Sequence, residues 1–413
     1  MPMRSRFLLT FLAVLSISLG PARAERPEFG GYWKDYAVIY DVPQYGLFGP
    51  YGGIPAAGKI SNRLRADCRY RISRIASLTV AYELIPVLED RRLFLAEASG
   101  LGAGGHAYRF DDLAYRPYPD DPDRFDGFAL FQNLDRAFVS LALPSTDVYI
   151  GRQPVAWGSA RAVNPTDVIA PYSHIELDTE YRNGVDAVRA QIALGSLGEL
   201  DVGYVFGEDF EFARSAMFLR GRYNFAGNDL SLMTVGFREN LLLGCDLARS
   251  IAGAGFWLET AYVIDDALAK TPAGDDDYLR LSTGLDYSLT GSLYGFIEYH
   301  FNGPGASDAG GYPGVLSSTA WIDGAVFLLG RQYLIPGFTY QLTPLVMLRG
   351  EALCNLGDPS FLIVPSVEYN AAQNVYLSAG AYVGAGASGD ADAAGSEFGS
   401  YPDMYYASFR LYF

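Results

Sequence analysis

Ile60-Ser-Asn-Arg-Leu-Arg-Ala-Asp-Cys-Arg-Tyr-Arg-Ile72 is the stretch on which the fold turns. Ile60, Leu64, Ala66, Cys68, Tyr70 and Ile72 alternate with Ser61, Arg63, Arg65, Asp67, Arg69 and Arg71. A strand points successive side chains to opposite faces. One face of this strand is therefore apolar and the other carries four arginines. With the apolar face toward lipid, the arginines look inward. The reverse register would put each arginine in lipid at about 2–4 kcal/mol, on the order of 10 kcal/mol for all four. Segment 278–289 alternates in the same way, with Leu279, Leu281, Leu285, Tyr287 and Leu289 outward and Arg280, Ser282, Asp286 and Ser288 inward. In 215–223 the inward pair is Arg220 and Arg222. Unpaired charges buried dry are prohibitively costly, so the enclosed side reads as a hydrated lumen.

Outward from this strand, about eighteen segments share the period of two: 30–41, 58–72, 76–89, 126–143, 145–157, 180–195, 197–207, 213–226, 228–239, 240–252, 253–265, 277–289, 291–302, 329–343, 344–357, 359–371, 373–386 and 402–413. Most reach the roughly 9–11 residues with which a tilted strand crosses a bilayer. Connections after even-numbered segments are very short, as at Ser73–Arg74, Pro144, Ser196 and Gly227. Those after odd-numbered segments are often long, as at 42–57, 90–125, 158–179, 303–328 and 387–401. Short turns on one side and long loops on the other are the pattern of an outer-membrane barrel. The expectation is an all-β, antiparallel up-and-down transmembrane barrel of about 18 strands, within a range of 16 to 20. That size is wide enough for an aqueous channel.

The ends agree with this compartment. Arg4 and Arg6 precede an apolar run from Phe7 to Leu19, and Ala22-Arg-Ala24 offers small residues for cleavage. Residues 1–24 read as a secretory signal peptide and 25–413 as the barrel. Losing that peptide removes three arginines and no acid, taking the formal charge from −16 to −19, which argues against a nucleic-acid partner. Cys68, Cys245 and Cys354 are scattered and form no haem or metal motif, so no cofactor and no metal are expected. In the last segment Tyr405, Ala407, Phe409, Leu411 and the terminal Phe413 share a face. It resembles the C-terminal strand of bacterial outer-membrane proteins. That resemblance implies that Phe409, Leu411 and Phe413 form a signal read by the barrel-assembly machinery, and that outer-membrane lipid and lipopolysaccharide surround the protein.

The densest unusual stretch is 149–184, with Tyr149-Ile-Gly-Arg-Gln153, Trp157-Gly158, Asn164-Pro-Thr-Asp167, Glu176-Leu-Asp178 and Arg182-Asn-Gly184. Together with Gly31-Tyr-Trp-Lys34 and Asn62-Arg-Leu-Arg65 it resembles a broad group of proteobacterial outer-membrane channels. That group includes substrate-export porins and the barrel subunits of porin–cytochrome conduits. The resemblance implies passage through the outer membrane without naming the passenger. Pro154 is expected to interrupt a strand, and Val163, Val168 and Ile169 make the following loop too apolar to lie in water. The loop is therefore expected to fold into or over the lumen, with Arg152, Trp157, Arg161, Asn164 and Asp167 at a constriction. A packed outer loop closing only the mouth is the plainer alternative.

Candidate lumen-lining residues are Arg63, Arg65, Arg69, Arg71, Arg220, Arg222, Arg280, Glu298 and His300, facing inward acids such as Asp67, Glu83, Asp186, Glu259, Asp286 and Glu351. Glu298 and His300 share a face and form a candidate proton-handling pair. The acidic runs Asp120–Asp126 and Asp275–Asp277 lack the spacing of a calcium loop and read as solvated. His106 and His174 fall in loops. Three functions follow: a porin-like channel for ions or small solutes, a barrel sheath around multihaem cytochromes, or a surface enzyme. The charged lumen and inward loop favour the channel.

Overall fold

The computed structural model describes residues 26–42, 45–46, 49–50, 56–96, 108–271, 276–323, 326–389 and 395–413. The expected signal peptide lies outside them. Eighteen strands form one closed sheet: β1 (Glu28–Asp41), β2 (Ala57–Arg71), β3 (Ala76–Glu89), β4 (Phe128–Ala142), β5 (Thr146–Gln153), β6 (Val185–Leu194), β7 (Gly198–Val205), β8 (Ala216–Phe225), β9 (Asn228–Phe237), β10 (Asn240–Ile251), β11 (Ala254–Ile264), β12 (Tyr278–Ser288), β13 (Leu293–Asn302), β14 (Gln332–Thr343), β15 (Val346–Asn355), β16 (Ser360–Ala372), β17 (Val375–Ala385) and β18 (Asp403–Tyr412). Each pairs antiparallel with its sequence neighbours. The ring closes where β1 meets β18, with Trp33 opposite Leu411 and Asp35 opposite Phe409. All eighteen expected strands are present.

The closure point depends on a glycine. Gly31 exchanges backbone hydrogen bonds with the terminal Phe413 at 2.9 and 3.1 Å. A Cβ at Gly31 would lie 2.1 Å from the Arg65 carbonyl oxygen, so no side chain fits there. The short connections are tight hairpins. Ala226-Gly227 and Ala252-Gly253 both hold positive φ at two successive residues, as two-residue hairpin loops require. Ser73 Oγ accepts from the backbone of Ile75 and Ala76 in the β2–β3 turn. Longer connections cluster at the opposite rim.

Alternation assigns the faces as the sequence indicates. Ile60, Leu64, Leu219, Leu232, Leu243, Leu279, Leu285, Ile297, Phe338, Ile363 and Leu377 are exposed on the outer surface. Such a belt is stable only against hydrocarbon, so the protein is a membrane-spanning barrel of the outer-membrane type. No helix among the described residues is long and apolar enough to cross a membrane. Cys68, Cys245 and Cys354 are unpaired and belong to separate strands. Inside, two apolar clusters sit under the long loops, one around Val155, Trp157, Val168, Ile169 and Phe218, the other around Tyr333, Ile335, Leu362 and Phe398.

The interior loop and the charged wall

β5 stops at Gln153, so Pro154 ends the strand instead of interrupting one that runs to 157. Proline has no N–H with which to continue the ladder. The chain then turns inward. Gly158 adopts φ 114°, and a Cβ there would overlap the Asn164 side chain, so these two residues close the loop's first bend. Trp157 stands edge-on to Phe218 with centroids 4.7 Å apart, and its indole N–H donates to Asp201 on β7 at 3.3 Å. Asp201 is also gripped by the Arg189 fork at 2.8 and 2.6 Å.

Two buried carboxylates hold the next eight residues. Glu259 of β11 accepts from Ser159 N (3.1 Å), Ala160 N (3.2 Å), Thr166 N (2.9 Å) and Thr166 Oγ1 (2.6 Å). Glu298 of β13 accepts from Arg161 N (2.7 Å), Ala162 N (3.3 Å), Val163 N (3.0 Å) and Trp257 Nε1 (3.0 Å). Charged acceptors of this kind make hydrogen bonds about twice as strong as neutral ones. Ser282 donates to the Val163 carbonyl at 2.6 Å, and the Arg161 guanidinium reaches Asp286 at 2.8 Å. Val168 and Ile169 are buried, which satisfies the apolarity that made the loop conspicuous.

From there the chain crosses to another part of the ring. Asp167 pairs with Arg182 at 2.8 Å, and the Arg182 guanidinium lies 3.7 Å from the centre of the Tyr172 ring. Burial pushes the Asp167 carboxyl up to about 6, against the opposing pull of Arg182. His174 stacks on Tyr401 at 5.7 Å, and burial lowers it to about 4. Asp178 then bonds Lys34 of β1 at 2.9 Å and Arg63 of β2 at 3.1 Å. Glu180 takes Lys34 at 2.7 Å and the Tyr412 hydroxyl of β18 at 2.6 Å. One loop therefore joins the β10–β13 wall to the β18–β1–β2 wall through the interior.

This docking changes the expected lining. Arg65, Arg280, Glu298 and His300 face inward, but they are 4%, 5%, 0% and 1% exposed and do not meet bulk water. Loop backbone and partner charges have replaced their hydration. Arg65 binds Glu83 at 3.2 Å, Asp135 at 2.5 Å and Asp67 at 2.9 Å. Glu298 and His300 are not a proton-handling pair, because the Glu298 oxygens are taken by the loop and His300 Nδ1 sits 2.9 Å from Ser282 Oγ. Arg152 belongs to the rim, bonded to Asp186 at 2.8 Å and Asp112 at 2.5 Å, and not to the loop interior. Arg69, Arg71 and Arg222 are exposed, Arg63 and Arg220 half-buried.

Among the described residues no group of His, Cys, Asp and Glu is arranged to hold a metal ion. Asp121 caps a short turn, and Asp277 accepts from Tyr262 and Asp265, both ordinary loop roles. His106 and Asp275 lie outside the described residues. Trp257, Asp135, Lys34 and Asp178 are interior partners that strand-by-strand reading did not single out as site residues. The signal for Lys34 was its phase on β1, shared with the buried Tyr32.

No family model matches the chain, and no curated protein does. Solved structures do. OccK9 (OpdG) of Pseudomonas aeruginosa superposes with TM-score 0.60 at 11% identity, over 95% of this chain and 99% of that one. A BenF-like porin from Pseudomonas fluorescens gives 0.58 at 10% identity, over 94% and 98%. The outer membrane protein opdK of Pseudomonas aeruginosa gives 0.56 at 8% identity, over 94% and 98%. At such identities the likeness is one of architecture. This chain has the fold of the porin-type outer-membrane β-barrels.

Proposed function

We propose that the protein is an outer-membrane channel for ions or small solutes, narrowed by its own loop 154–184. The observation that carries this reading is the pinning of residues 159–166 by Glu259 and Glu298 deep inside an eighteen-stranded ring. A loop fixed in the lumen of a barrel this wide leaves a reduced aqueous path beside it. Arg161, half exposed and paired with Asp286, then stands at the narrowing, where low-dielectric walls focus the field on a passing solute. Arg69, Arg71 and Arg222 give the path below it an accessible basic lining. One of the solved structures that share its fold is described as a BenF-like porin, which supports a channel over an enzyme. A sheath around a cytochrome has less support, because the chain's own loop occupies space that such a partner would need.

The test replaces residues 160–175 with a short Gly/Ser linker in the purified barrel. Single-channel conductance should rise, and liposome swelling should extend to larger sugars. Unchanged conductance from correctly folded protein would place the loop outside the conduction path and overturn the constriction.

A further inference from the structure

The outer surface carries one feature that a lipid-facing wall does not need. On β1 the outward phase runs Phe29, Gly31, Trp33, Asp35, Ala37 and Ile39, so Asp35 projects from the middle of the apolar belt. Directly opposite it on β2 is Asn62, also in the outward phase with Ile60 and Leu64. Other charges in the outward phase among the described residues, such as Asp41, Arg249 and Asp403, lie within three positions of a strand end. Asp35 is the exception at mid-height. Its Oδ1 is enclosed by the chain's own atoms without a hydrogen-bond partner among the described residues, which leaves Oδ2 as the oxygen facing outward. An ionisable group inside the hydrocarbon region is costly and marks a functional contact.

We propose that this face, β18–β1–β2, is where a second copy of the chain docks, with Asp35 and Asn62 of each copy bonding Asn62 and Asp35 of the other. Two copies inserted the same way in one membrane are related by an axis along the membrane normal. Rotation about that axis preserves depth. Asp35 and Asn62 are cross-strand neighbours and so lie at nearly the same depth. Across a twofold contact each therefore meets the same pair. An amide donates and a carboxyl accepts, so the pair is self-complementary, as an isologous interface requires. Apolar side chains surround it in the outward phase, Trp33 and Ala37 on β1, Ile60 and Leu64 on β2 and Phe409 on β18, and they ring the polar pair at the contact. Burial of the pair removes from lipid a polar group that would otherwise destabilise the barrel.

The experiment measures the mass of the purified protein in mild detergent by native mass spectrometry, with heat-modifiability on gels as the check of folding. The wild-type chain should give a twofold complex. Asp35→Leu combined with Asn62→Leu should fold normally, since both positions become lipid-like, and should be monomeric. Asp35→Asn keeps a hydrogen-bonding partner and should remain a dimer. A wild-type monomer at every protein concentration, or a complex that survives the double leucine variant, would overturn the proposal.

Discussion

Glu298→Gln tests what holds the interior loop. The carboxylate receives four N–H groups, three on Oε2 (Arg161, Ala162 and Trp257 Nε1) and one on Oε1 (Val163). A glutamine best keeps its carbonyl toward the three and turns its NH2 toward Val163 N–H. One hydrogen bond to a charged group, about 1.5–3 kcal/mol, is lost. The other three lose their charge assistance. The docked loop should weaken by on the order of 4 kcal/mol, which is roughly a 10³-fold shift toward the undocked state. Glu298 is fully buried, so water does not readily replace the missing acceptor. Single-channel recording reads this directly: excursions to a larger conductance should become frequent in Glu298→Gln and more so with Glu259→Gln added. Conductance histograms identical to wild type, from protein of normal heat-modifiability, would refute the reasoning.

Exchanging Arg69 and Arg71 for Gln should shift the reversal potential toward cations by a modest amount, since a Debye length of about 8 Å at physiological salt confines each wall's field. Arg65→Gln should instead lower the unfolding temperature, because it strips partners from the buried Glu83 and Asp135. Deleting Phe413 should reduce membrane levels far more than deleting an exposed loop residue, as it removes the backbone bonds to Gly31 at the closing seam. Burial holds Asp167 at about 6. It holds at about 7 Glu397 of the last long loop, which accepts from Leu329 N, the Tyr333 hydroxyl and Asn355 Nδ2. Both lie above their unfolded values, so these acids favour docked loops increasingly as pH falls through those values. His174, lowered to about 4, works in the opposite sense and penalises docking as pH drops below its unfolded value near 6.5. A His174→Phe barrel should therefore show loop proteolysis that declines steadily from pH 7.5 to 4.5. Proteolysis that rises on acidification in that variant would contradict the assignment.

The strands were legible because lipid outside and polar groups inside impose a period of two that no local propensity can mimic. Segment 60–72 carried the register of the whole ring. The sorting of short turns such as Gly227 against long loops such as 158–179 carried the topology. The inward fold of the loop followed from Val168 and Ile169, which need burial. Its anchors did not follow. Glu259 and Glu298 come from strands about a hundred residues away, and nothing local distinguishes a carboxylate that cups backbone N–H groups from one that faces water. For the same reason Arg65, Arg280 and His300 looked like wet lining until the docked loop showed them covered. Asp35 carries no such signal, because one polar residue in a row with Trp33, Ala37 and Ile39 leaves the period of two intact.

The central claim is that a water-filled path runs through this barrel beside its interior loop. Planar-bilayer recording of the purified wild-type protein tests it most directly. Discrete current steps that scale with salt concentration, accompanied by entry of small sugars into proteoliposomes, are the expected result. Silent bilayers from protein that is β-rich by circular dichroism and heat-modifiable on gels would contradict it.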